Sequence, residues 1–120
     1  MMNYSEILDE MQNKVLDRID VAHVDELFKT YDNSDANQAS QIIKIEAEKV
    51  VEKFAKHTSK KDFCQFANFL MMRELENTLN TLNALREEPG TLYTNYAVRM
   101  IVINIIERKN DKYKDAEIQR

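Results

Sequence analysis

Carboxylate, amide and hydroxyl side chains crowd residues 32–38, in the run DNSDANQ, and such oxygen atoms are the ligands that Ca²⁺ requires. A calcium-binding loop also needs a Gly at its turn and a bidentate Glu at its last position. In the best register, which starts at Asn33, Gln38 replaces that Gly and Lys44 replaces that Glu. Because the Lys44 ammonium would repel the ion, the sequence predicts no metal site here. It predicts instead that the next helix is capped by Asn33, Ser34 or Asp35.

Catalytic groups are few in this chain. The single cysteine, Cys64, stands among phenylalanines on the apolar side of a predicted helix and is interpreted as a small buried hydrophobe. The two histidines, His23 and His57, lack the helical Glu partner that bundle metal sites use. One glycine cannot build a phosphate-binding loop. The sequence therefore predicts a protein that is not an enzyme and that uses no metal and no cofactor.

A basic run offers a binding function. Its lysines stand four, three and four residues apart and would share one helical face if the helix continued through them: Lys49, Lys53, Lys56 and Lys60. Such a face could contact phosphates or an acidic partner. It contains no Arg, the residue best suited to reading bases, which favours non-specific contact. The alternative is a solvated face of intrahelical ion pairs such as Lys44–Glu48.

Apolar residues exceed what one helix face can hold. The run from Phe69 to Met72 spans most of the circumference of a helix, and the segment MIVINII does the same further on. Either such a helix is the centre of the bundle, or it also meets a partner chain. We therefore predict a homodimer, or a partner surface, built on Phe69, Met71, Met72, Met100 and Ile103.

The elements that must position these residues are all predicted to be helices. One Gly and one Pro in 120 residues leave few sharp turns, which is typical of helical bundles. Apolar spacing and caps predict a single all-α domain over residues 1–120, a bundle of four to five helices with a frayed tail at 113–120. The predicted helices are 4–20, 23–31, 35–57, 60–88 and 91–112.

Charge and hydropathy limit the functional classes. The net charge is −4, and residues 1–38 hold nine acids against three bases. The opening residues resemble no signal peptide and the apolar runs are too short to cross a membrane, so a cytoplasmic location is expected. The leading hypothesis is a small regulatory protein of the inhibitor, immunity or adaptor type that binds a protein partner. The alternative is a nucleic-acid-associated regulator that uses the Lys49–Lys61 face, and an enzyme site shared between subunits is a third.

Overall fold

Residues 3–118, which the computed structural model of the chain describes, form six α-helices and no strand. In chain order the helices are α1 (Tyr4–Leu16), α2 (Val21–Lys29), α3 (Asn33–Lys56), α4 (Lys60–Arg73), α5 (Leu75–Ala84) and α6 (Thr91–Ile118). The prediction of an all-α bundle is confirmed, with one helix more than expected. The principal-axis extents are 47 × 24 × 23 Å.

Side-chain caps fix where four of these helices begin. Asn3 and Asp20 accept hydrogen bonds from the third backbone N–H after them, each at 3.2 Å, and Ser59 does the same at 3.1 Å. Asp32 caps α3 by accepting from two backbone N–H groups, at 2.8 and 3.1 Å. The predicted caps Asn33, Ser34 and Asp35 are therefore wrong by one position or more, because Asp32 holds the extended backbone that a cap requires.

The segment predicted as one helix over 60–88 is bent at Glu74. That residue has φ −110° and ψ −31°, although its N–H still bonds to Leu70 and its carbonyl still accepts from Thr78, each at 2.9 Å. Neither Pro nor Gly stands there. The Glu74 carboxylate bonds instead to Ser5 on α1 and to Arg99 on α6. Both α4 and α5 pack against α6.

Helix α6 is the central element of the bundle and packs against each of the other five helices. Its first half is apolar on most sides, as the sequence predicts, and its fully buried residues include Val98, Val102 and Ile103. The predicted end at residue 112 is too early, because α6 continues to Ile118 and Tyr113 packs against the core. The predicted tail is thus helical over 113–118, and residues 119 and 120 lie outside the described part. None of the described helices combines the length and apolar character needed to cross a membrane.

A chain of aromatic rings ties one end of the bundle together. The Phe66 ring centroid lies 5.7 Å from that of Tyr4 on α1 and 5.3 Å from that of Phe54 on α3. The Phe63 ring centroid on α4 lies 5.5 Å from that of Tyr113 on α6. Tilted and edge-to-face pairs at such distances stabilise a fold beyond the burial of their area. The aromatic end therefore sets how α1, α3, α4 and α6 lie relative to one another.

The turn between α2 and α3 contains the left-handed residue Tyr31, with φ 57°. This conformation is usually left to glycine because a Cβ atom crowds the next carbonyl. The Tyr31 side chain is 67% exposed, and its hydroxyl donates a hydrogen bond to the Glu87 carbonyl in the turn before α6. It is the one residue with positive φ among those described, which fits the few sharp turns expected from the composition.

Candidate functional site

A groove of about 690 Å³ runs between α1 and α3 and is the candidate functional site. Its first wall follows one face of α1 and the turn after it, and consists of Ile7, Glu10, Met11, Lys14, Asp17 and Arg18. Its second wall follows one face at the end of α3 and consists of Lys49, Val50, Lys53, Phe54 and His57. Successive lining residues are mostly one, three or four positions apart, as residues on one helical face are. We call this feature the α1–α3 groove.

The two walls run antiparallel. At one end the Arg18 Nε atom lies 2.8 Å from a carboxylate oxygen of Glu46, near the middle of α3. At the other end Tyr4, which begins α1, and Phe54, near the end of α3, both pack on the Phe66 ring. Ion pair and ring contacts together hold the helices side by side over the length of α1. The groove is the furrow between the surfaces of two helices that lie side by side and run in opposite directions.

The floor of the groove is apolar. Met11 is 3% exposed and Val50 is 7% exposed, so both are part of the core and present only an edge. Ile7 and Phe54 are half-buried and pack against that core. A ligand that covered the floor would remove this apolar surface from water, which is favourable by about 25 cal/mol per Å². The floor is therefore suited to apolar side chains of a partner.

The rim of the groove is predominantly basic. Four cationic side chains line it against two carboxylates, Glu10 and Asp17, although the chain as a whole carries a net charge of −4. Lys14 pairs with Glu10 at 3.2 Å, and Lys49 pairs with Glu46 at 3.2 Å. Within residues 3–118, Lys53 has no carboxylate within 4 Å. The rim thus retains positive charge that the fold does not neutralise.

Glu46 lies beneath one end of the rim and organises two of its cations. Hydrogen bonds from Arg18, and then from Lys49, lower the pKa of Glu46 below its ordinary value of 4.5. Its side chain is 21% exposed, whereas those of Arg18 and Lys49 are about half exposed. The two cations are therefore anchored through their inner contacts, while their remaining donors face solvent at the rim.

The predicted lysine face is only partly formed. One surface of α3 brings together Lys49, Lys53 and Lys56 beside Glu48 and Glu52. The first two lysines also line the α1–α3 groove, whereas Lys56 does not. Lys60 does not continue this row, because α3 ends at Lys56 and a new helix begins at Lys60 itself. The Lys60 ammonium lies instead over the Tyr113 ring, 5.3 Å from its centroid.

The five residues predicted as a partner or self-association surface do not form one patch. Ile103 is fully buried on α6, so its assignment to a surface is wrong: the apolar excess of that helix is used by the five helices around it. Phe69 and Met71 are half-buried and pack against the core, and Met100 is half-buried. Met72 alone among them is well exposed, at 80%.

The sequence analysis missed the α1 wall of the groove. Lys14 and Arg18 stand four residues apart and could have been noticed as a basic pair in an otherwise acidic segment. Their position opposite Lys49 and Lys53 could not, because it depends on the antiparallel packing of two helices separated by α2. The sequence alone thus shows which residues are basic, but not that they line one groove.

A second cavity, of about 330 Å³, lies on the other side of α1 and is centred on Arg99. The Arg99 side chain is 13% exposed and donates to Asp9 at 2.7 Å, to Gln12 at 2.8 Å and to Glu74 at 3.0 Å. Burial lowers the pKa of Arg99, but the bonds to Asp9 and Glu74 raise it by more. Every charge at this site is thus used to join α1, the α4–α5 bend and α6. We call it the Arg99 cluster.

A buried carboxylate outside both cavities was also missed. Asp25 on α2 is 7% exposed and accepts hydrogen bonds from the Thr91 and Thr94 hydroxyls at the start of α6. An Asp on the apolar side of an amphipathic helix, together with two threonines three residues apart, was the available signal. The arrangement fixes the beginning of α6 against α2 and holds no group poised for reaction.

Metal ligands do not converge in the described part of the chain. No group of three or more His, Cys, Asp or Glu side chains there could hold a metal ion. Residues 33–38, considered above as a calcium loop, form the first turns of α3, so they do not fold around a central ion. Cys64 is a free thiol and is half-buried on α4.

Comparisons with known protein families, with curated proteins and with solved structures find no match to this chain.

Proposed function

We propose that this protein is a non-catalytic regulatory protein of the inhibitor, immunity or adaptor type, and that it binds its protein partner through the α1–α3 groove. The observation that supports this proposal is the combination of an apolar floor with a basic, incompletely neutralised rim. Apolar area supplies binding free energy, whereas rim charges select the partner and steer its approach. Both are needed for a specific protein contact.

The Arg99 cluster supports the same proposal by contrast. It is the other charged concave region built on α1, but its guanidinium already has three acceptors within 3.0 Å. A ligand there would have to compete with bonds that hold three elements together. In the groove, the Lys53 ammonium and the outer donors of Arg18 are available without that cost.

A photoreactive amino acid at position 53 tests this proposal in living cells. Lys53 is exposed on the rim, so the replacement leaves the core unchanged. We expect an ultraviolet-induced adduct that is larger by the mass of a polypeptide and sensitive to protease. The same amino acid at Asn80, which is exposed on α5, is the control and should give no such adduct. Absence of a protein adduct at position 53 would contradict the proposal.

The same crosslinking experiment also tests the alternative that the protein binds nucleic acid. Glu48 and Glu52 stand between the lysines on one surface of α3, and Glu52 pairs with Lys109 at 2.8 Å. Hydrogen bonding by Lys109 lowers the pKa of Glu52, which therefore stays ionised and opposes phosphates. An adduct removed by nuclease rather than by protease would favour the alternative.

Self-association and location belong to the proposal as well. We propose that the chain forms a homodimer centred on Met72, whose 80% exposure on α4 is the highest among the large apolar side chains of residues 3–118. Sedimentation of the wild type and of Met72→Asp at tens of micromolar tests this, and a monomeric wild type would refute it. We further propose a cytoplasmic location, following the expectation from the sequence.

A further inference from the structure

We infer that the partner segment bound by the α1–α3 groove is an amphipathic α-helix that carries carboxylates along its polar face. This inference rests on the proposed function and specifies the chemistry and the shape of the segment.

The walls of the groove match the surface of a third helix. Each wall is a helical stripe in which lining residues recur every three or four positions, so the side chains form ridges with the pitch of an α-helix. The walls run antiparallel, held by Arg18 and Glu46 at one end. A helix laid along this seam would insert its own ridges between those of α1 and α3, as adjacent helices in bundles do.

Two other modes of peptide recognition lack their requirements in this groove. An extended strand binds by adding to the exposed edge of a sheet, and residues 3–118 contain no strand. A polyproline segment binds between several aromatic rings, whereas the groove contains a single benzene ring, that of Phe54. A helix satisfies its own backbone hydrogen bonds and needs only apolar and charged side-chain contacts.

The charge of the rim sets the polar face of the segment. On the α1 side, the two cations Lys14 and Arg18 are matched in number by two carboxylates. The excess positive charge of the rim therefore lies on the α3 side, at Lys49 and Lys53. A bound helix would present apolar side chains to the floor of the groove and carboxylates to the α3 side. The arrangement selects against a basic amphipathic helix by like-charge repulsion.

The length of the walls sets the length of the segment. The α1 wall extends from Ile7 to Arg18, which corresponds to about 16 Å at the rise of an α-helix. The segment that contacts it is thus about three turns long. Apolar residues at positions i, i+3, i+4 and i+7 of the segment would cover the floor.

A synthetic helical peptide is the probe that tests this inference. It is about four turns long, carries Leu at the four floor positions and Glu along the flank that faces α3, and is labelled with a fluorophore. We expect saturable binding by fluorescence anisotropy and a fall in affinity as salt rises. A peptide with the Glu residues replaced by Lys should bind at least tenfold more weakly. A peptide with the same composition but scrambled order should not bind.

Two matched variants locate the binding in the groove. Lys53→Glu reverses a rim charge, and Lys56→Glu makes the same change three residues away on the same helix, outside the groove. We expect Lys53→Glu to lower the affinity for the acidic peptide by about fivefold or more, and Lys56→Glu to lower it by less than about twofold. Circular dichroism of both variants serves as the check that they keep the helical fold.

The outcomes separate this inference from the proposed function. Equal affinity for the acidic and scrambled peptides, or equal effects of the two variants, would overturn the helix inference. If the photoreactive position 53 still captured a protein, the proposed function would stand and the segment would have another shape. Binding of duplex DNA or of anionic lipid vesicles that competes with the peptide at physiological salt, without any peptide selectivity, would overturn both.

Discussion

The two charged regions on opposite sides of α1 use similar residues in opposite ways. In the Arg99 cluster, one guanidinium is shared by Asp9, Gln12 and Glu74, and its side chain is 13% exposed. In the α1–α3 groove, the cations are about half exposed and their number exceeds that of the carboxylates. A charge that the fold neutralises contributes to structure, whereas a charge that remains at an open apolar floor is available to a partner.

The largest effect should come from removing the cation of the Arg99 cluster. Arg99→Met leaves Glu74, whose side chain is 17% exposed, without its cation and breaks the link between α1, the bend and α6. We expect a loss of about 2–3 kcal/mol in the free energy of unfolding, below the full cost of a deeply buried pair because Asp9 is 60% exposed. Urea denaturation measures it.

Because the Arg99 cluster lies on the other side of α1 from the groove, we expect folded Arg99→Met to bind the acidic peptide as the wild type does. A change of less than about 0.5 kcal/mol in unfolding free energy would show that the Arg99 cluster is not structural. Loss of peptide affinity by the folded variant would show that the two sides of α1 are coupled.

Arg99→Lys should give the next largest effect. Lysine keeps the positive charge but cannot direct two nitrogens to Asp9 and Glu74 at once. We expect a loss of about 1–2 kcal/mol, again from urea denaturation. If the lysine variant were as stable as the wild type, the positive charge alone would account for the stability that the cluster contributes. The two-pronged geometry of the guanidinium would then contribute nothing.

Charge reversal at the groove should leave stability nearly unchanged. Lys53→Glu alters an exposed side chain without an ionic partner among residues 3–118, so we expect the free energy of unfolding to change by no more than about 0.5 kcal/mol. Lys109→Glu is the contrasting control, because Lys109 bonds to Glu52 and its side chain is 22% exposed. Equal destabilisation by both would indicate that Lys53 is also a structural charge.

The smallest predicted effect comes from the Glu46 carboxylate, whose contribution to stability should depend on pH. Bonds from Arg18 and Lys49 lower the pKa of Glu46 in the folded state, so its contribution to stability is complete above its ordinary pKa of 4.5 and is lost as the pH falls through the folded value. Glu46→Gln should therefore melt at a lower temperature than the wild type near neutral pH, and the difference should shrink as the pH falls below 4.5. Glu76→Gln on α5 is the control for loss of an exposed carboxylate. A difference independent of pH would contradict this assignment.

Local sequence predicted those parts of the fold that local interactions determine. The helical character of the chain and the apolar sides of α6 were predicted from neighbouring residues and are present. The bend at Glu74 was not predicted, because Arg73, Glu74 and Leu75 favour a helix. The bonds that accompany the bend come from Ser5 and Arg99, which lie 69 and 25 residues away.

The candidate site was predicted less well for the same reason. Lys49 and Lys53 were identified from their spacing, and both line the groove. Ile103 was assigned to a surface because its helix has more apolar residues than one neighbour can cover, and the structure supplies five neighbours. Helical periodicity reports which face of a helix is apolar, but not how many other helices share that face.

The central position of α6 has a consequence for the order in which the chain acquires its structure. A ribosome releases α1 to α5 before α6, so five helices emerge before the helix against which all of them pack. Until then the core of the bundle is incomplete and apolar side chains of the first five helices stay in contact with water, which favours aggregation of the nascent chain. The hydrogen bond from Gln12 on α1 to the Asn95 carbonyl on α6 joins residues 83 positions apart, and the closure of such long loops slows folding.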